Sequence, residues 1–114
     1  MKLSTAEPEL LAALQRMMAL PTSLRPFVIC EAATGQFVQW RGSLDEKMLL
    51  DVPPQCTAQG VWLSEFQVEY WDDTPVACER AARAGLLFLR TRFALADDAE
   101  VTITEDVTGP KGSA

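Results

Sequence analysis

The segment PFVICEAATGQFVQWR, residues 26–41, constrains the fold more than any other part of this 114-residue chain. Its two halves are rich in β-branched and aromatic residues, which favour strands. Between them stands Gly35, where a hairpin loop of about three to five residues commonly needs a positive φ. In the second half Val38 and Trp40 share one face, and the polar residues beside them share the other. The segment therefore predicts an antiparallel hairpin with one buried face.

Two amphipathic helices are predicted, one before and one after most of the strands. The first begins near residue 5, with Ser4 or Thr5 as its capping residue. The second follows Thr74, the predicted cap, and runs from Pro75 to about Phe93. One face of the second helix carries mostly small residues, which let a helix lie close to a sheet. These residues are Ala77, Cys78, Ala81, Ala82, Gly85, Phe88 and Leu89.

Three further strands complete the predicted order. KMLLDV, residues 47–52, is followed by two prolines, which cannot donate to a sheet ladder. The next segment, QCTAQGVWLSEFQVEYW, fits both a helix and a strand, and the alternation in its last part favours a strand over residues 64–71. EVTITE, residues 100–105, alternates and closes the sheet.

This element order predicts the α+β class. The sequence reads helix, three strands, a further strand, helix and strand. We expect an antiparallel sheet of four to five strands, packed on one face by the two helices. Residues 1–107 form a single domain in this prediction, and residues 108–114 form a flexible tail.

The charge balance makes several partners improbable. Ten Lys and Arg against sixteen Asp and Glu leave a net charge of −6. An acidic chain repels nucleic acid phosphates and anionic membrane surfaces, so we expect neither as a partner. Charged residues and a proline interrupt the apolar residues of the first twenty positions, which predicts neither a signal peptide nor a membrane span. The predicted location is cytoplasmic.

The sequence offers few groups for catalysis or metal binding. It contains no histidine, and Cys30, Cys56 and Cys78 are isolated from one another. We expect buried free thiols, because nothing in the local sequence would activate a nucleophile or complete a zinc site. Asp72 and Asp73 are interpreted as residues of a helix N-terminus rather than as a catalytic pair. The chain is therefore predicted to be no enzyme and to hold no cofactor or metal.

Tryptophans and a leucine pair are the candidates for partner binding. The set comprises Trp62, Trp71, Arg83, Leu86, Leu87 and Arg90. Tryptophan is enriched where interfaces bind tightly. The two adjacent leucines are placed at the margin of the polar face of the second helix, beside two arginines, where a monomer must cover or expose them. A homodimer or a bound partner would bury them.

Several of these segments carry a family resemblance. PFVICEAATGQFVQWRGS and MLLDVPPQ, with the alanine-rich helix and EVTITED after them, span about residues 24–106. Together they resemble small bacterial chaperone-like domains that share the fold of type III secretion chaperones, including the YbjN-like and TY-Chap groups. The matching residues form the fold and are no catalytic signature, so the resemblance implies a scaffold that binds other chains.

Three functional hypotheses follow. The first is a non-enzymatic protein-interaction module, a small cytosolic bacterial protein that docks a partner chain or its own copy. The alternative is an immunity or antitoxin-type protein, whose acidic surface neutralises a basic partner. The third is an enzyme or small-ligand binder that uses the arginines of the second helix together with Asp72 and Asp73.

Overall fold

The computed structural model describes residues 1–42, 47–70 and 75–107. The helices and strands in these residues are α1 (Glu7–Ala19), β1 (Pro26–Ala32), β2 (Phe37–Gly42), β3 (Met48–Val52), β4 (Gln55–Cys56), β5 (Trp62–Leu63), β6 (Phe66–Tyr70), α2 (Pro75–Thr91) and β7 (Val101–Val107). Short 3-10 turns at Leu3–Thr5 and Thr22–Leu24 flank α1. The predicted tail and the predicted cap Thr74 lie outside the described residues.

Five strands form one antiparallel sheet in the order β6-β3-β2-β1-β7. Both helices pack on the same face of this sheet, with α1 against β1 and β7 and α2 against β2. The predicted α+β fold is therefore confirmed. β4 and β5 form a separate two-stranded sheet, which the sequence left undecided.

The β1–β2 hairpin has the predicted alternation. Val38 and Trp40 are buried on the helix-covered face, and Val28 pairs with Trp40 across the two strands. Gly35 turns the chain with a φ of 100°, in the region that side chains disfavour. This hairpin forms the middle of the sheet because β3 and β7 pair with its two outer edges.

A close approach between α2 and β2 fixes the helix on the sheet. A methyl group on Gly85 would lie 2.1 Å from Cζ2 of Trp40, so only glycine admits the indole ring at this distance. The indole Nε1 donates a hydrogen bond to the carbonyl of Ala81 (3.0 Å), which satisfies the one polar group of this fully buried side chain. The small residues of α2 thus serve the close packing that the sequence predicted.

The helix ends differ from their predictions. α1 begins at Glu7 with Ala6 at the N-cap and no side-chain cap, so the prediction that Ser4 or Thr5 caps it is wrong. Those two residues lie in the preceding 3-10 turn, where the backbone N–H of Ser4 donates to the carbonyl of Asp97 (2.9 Å). Here the chain contacts the segment before β7, and α1 starts only after the 3-10 turn.

The second helix ends at Thr91, two residues earlier than predicted. The N–H of Phe93 reaches the carbonyl of Phe88 (3.2 Å), five residues back, and so departs from the α-helical ladder. Phe93 is nonetheless fully buried and meets Phe88 edge to face, with ring centroids 5.3 Å apart. Packing therefore keeps Phe93 in the core after the helix has ended.

Candidate interaction surface

The β4–β5 hairpin is a compact element held by its own loop. Thr57 organises this loop: its N–H donates to the carbonyl of Val61 (2.7 Å), and its hydroxyl accepts from the N–H of Val61 (3.0 Å). Gly60 completes the turn with a φ of 84° and donates to the carbonyl of Thr57 (3.0 Å). The loop is therefore a defined turn, and it holds the side chains on either side of it in fixed positions.

Side-chain amides attach this hairpin to the end of the large sheet. The side chain of Gln55 accepts from the N–H of Phe37 and donates to its carbonyl, both at 3.0 Å. These two hydrogen bonds replace the ones that a neighbouring β-strand would make with the backbone of Phe37. The side-chain amide of Gln36 also donates to the carbonyl of Cys56 (3.4 Å). The hairpin is consequently anchored to the start of β2.

Three residues of the hairpin expose apolar or sulfur-bearing side chains. Trp62 is 67% exposed and Val61 is 56% exposed. Cys56 is exposed and is the cross-strand partner of Trp62, and side chains of directly opposite residues lie on the same face of a ribbon. Leu63, which follows, packs against the core. We call Cys56, Val61 and Trp62 the hairpin surface.

The hairpin surface belongs to a stretch of the sequence without charged residues, which lies between Asp51 and Glu65. Residues 52–64 contain no charged side chain, although 23% of the whole chain is charged. Residues 32–40, which hold the β1–β2 turn, are also without charge. The hydrogen bonds from Gln36 and Phe37 join these two segments. We call residues 32–40 and 52–64 together the neutral end.

Only one member of the leucine pair predicted on the second helix is exposed. Leu86 is 2% exposed, so the prediction that it lies at the margin of the polar face is wrong. It stands four residues after Ala82 and three before Leu89, both fully buried, and these spacings share one helix face. Leu87 is 56% exposed, as a partner-binding residue would have to be.

The two predicted arginines are exposed but engaged within the chain. Nε of Arg83 lies 3.2 Å from Oε1 of Glu7 on α1, and Nε of Arg90 lies 3.2 Å from Oδ1 of Asp97. Both pairs join α2 to neighbouring parts of the chain, so neither arginine is left as an isolated cation. Trp71, the remaining candidate, lies outside the described residues, as do Asp72 and Asp73.

The sheet face opposite the helices carries a buried carboxylate. Asp51 accepts from the amides of Gln39 (2.9 Å) and Gln67 (3.1 Å), and Nη2 of Arg41 lies 3.3 Å from its Oδ2. These donors come from both strands that flank β3. A carboxylate with so many donors is satisfied, which suits a structural link across the strands better than a reactive group.

A small apolar pocket lies where the end of α1 meets the start of β1 and the end of β7. Its volume is about 270 Å³, below the usual size of small-molecule sites. The lining residues are Met17, Leu20, Pro26, Phe27, Val28, Glu105, Asp106 and Val107. Arg16 binds Glu105 through two hydrogen bonds (2.8 and 2.7 Å) and, chiefly through them, lowers the pKa of that carboxyl.

The three thiols divide into two kinds. Cys30 and Cys78 are buried as predicted, and burial raises the pKa of Cys30 to about 11. Such a thiol stays protonated and unreactive at neutral pH. Cys56 is exposed, so the prediction that all three are buried is wrong for this residue. Cys56 lies opposite the exposed Trp62 on a two-stranded ribbon that is separate from the main sheet.

Within the described residues, no three or more Cys, Asp or Glu side chains gather in a group that would hold a metal ion. Nor does either helix of that part of the chain have the length and apolar character to cross a bilayer. No protein-family model, curated protein or solved structure matches this chain. The chaperone-like resemblance therefore stays a prediction.

Proposed function

We propose that this protein is a non-enzymatic interaction module that docks another protein chain on the hairpin surface. The observation that carries the proposal is the 67% exposure of Trp62 on an element anchored to the sheet. Large exposed aromatic side chains are uncommon on a monomer, and tryptophan contributes most where it is desolvated in an interface. A cytosolic, chaperone-like role in a bacterium belongs to the same proposal.

Anchoring favours binding by reducing the entropy that association loses. A mobile loop must become ordered when it binds, whereas the loop of residues 57–61 already has its internal hydrogen bonds. The side chains of Gln55 and Gln36 further hold the hairpin against β2. Most of the apolar contact of Trp62 with a partner would therefore contribute directly to affinity.

Affinity capture from a lysate of the native cells, read by mass spectrometry, tests this function. The baits are the wild type, Trp62→Ser and the matched control Val76→Ser, which also removes an exposed apolar side chain but from α2. We expect one stoichiometric protein on the wild type and on the control, and its loss on Trp62→Ser. Undiminished capture by Trp62→Ser, or a bound metabolite in place of a protein, would contradict the proposal.

The immunity or antitoxin-type alternative rests on the net charge of −6. We rank it second because carboxylates near the end of the chain are engaged internally, Glu105 by Arg16 and Asp97 by Arg90. Those pairs reduce the negative field available to a basic partner. Capture of a basic protein that is released by moderate salt, and retained by Trp62→Ser, would reverse this ranking.

A further inference from the structure

We draw no further inference here: the strongest candidate, the apolar pocket between the end of α1, the start of β1 and the end of β7, carries none, because its carboxylate Glu105 is already bound by Arg16 and nothing in the described part of the chain shows what fills it.

Discussion

The two hairpins of this protein both turn at a glycine, but their tryptophans lie in opposite environments. Gly35 and Gly60 both adopt a positive φ, of 100° and 84°. In the β1–β2 hairpin Trp40 is fully buried against α2, whereas in the β4–β5 hairpin Trp62 is 67% exposed. Strand length and neighbouring elements therefore decide whether a tryptophan stabilises the fold or remains available for binding.

The largest expected difference is between truncations of the two tryptophans. Trp40→Ala should lower the free energy of unfolding by about 3–5 kcal/mol, because it leaves a cavity and removes the donor to the Ala81 carbonyl. Trp62→Ala should change it by less than about 0.5 kcal/mol, since the side chain is mostly in water. Chemical denaturation of both variants measures the contrast. Similar losses would mean that Trp62 packs against the core.

A smaller effect is expected at the contact that holds Trp40. Gly85→Ala places a methyl group 2.1 Å from the indole ring, and the hydrogen bond to Ala81 restrains the ring from moving away. We expect a loss of about 1–3 kcal/mol, although alanine is the better helix former. Ala84→Gly, one position away, is the matched control and should lose only about 1 kcal/mol. A Gly85→Ala variant as stable as the wild type would refute the close approach.

The two turn glycines separate global from local stability. Gly35→Val should lower the unfolding free energy by about 1–2 kcal/mol through backbone strain alone, since a Cβ there meets nothing within 4 Å. Gly60→Val carries the same strain but should open the β4–β5 hairpin locally, with little change in the global transition. Amide hydrogen exchange distinguishes the two. Faster exchange at Val61 in Gly60→Val, with β1 still protected, is the expected pattern.

The smallest expected effect concerns the cysteine thiols, whose rates of chemical labelling show how deeply each one is buried. At pH 8 iodoacetamide should label Cys56 quickly and Cys30 slowly, because Cys56 is exposed and burial raises the pKa of Cys30 from 9.0 to about 11. The unfolded chain loses the Cys30 proton first, so the stability linked to this proton is fully present below pH 9. It is lost as pH rises towards 11.

Replacing Cys30 tests whether its thiol causes the predicted loss of stability between pH 9 and pH 11. Cys30→Ala should unfold with a shallower loss of stability between pH 9 and pH 11 than the wild type. Cys56→Ala, whose thiol is exposed, should keep the wild-type slope. If Cys30→Ala and the wild type lose stability equally over this range, Cys30 is not the group responsible.

The sequence was most informative where residues alternate over a whole strand. The β1–β2 hairpin, β3 and β7 were predicted because each strand has five to seven residues, long enough for an alternation of side chains to appear in the sequence. The β4–β5 hairpin has only two residues in each strand, which is too short for a period to appear. Its position depends on the amides of Gln55 and Gln36, and such side-chain contacts leave no pattern along the chain.

The sequence predicted the exposure of the candidate partner-binding residues only in part. Trp62 was singled out because tryptophan favours interfaces, and its exposure agrees with that role. Leu86 was misplaced because adjacent residues on a helix differ by about 100° in direction, so a small error in the buried face reverses the assignment. The helix α2 packs against α1 as well as against the sheet, and Leu86 is one of the buried residues of the core.

The position of β7 beside β1 affects how the chain folds during synthesis. β1 ends at Ala32, and its outer neighbour begins only at Val101. At roughly 5–20 residues per second, a ribosome needs about 4–15 s to add the residues up to Val107. Once β2 is complete at Gly42, β1 can pair with it, but β1 keeps an open edge on its other side for the rest of that interval. Sheet closure is therefore a late, non-local step, and nascent chains are open to strand-to-strand misassembly until it is complete.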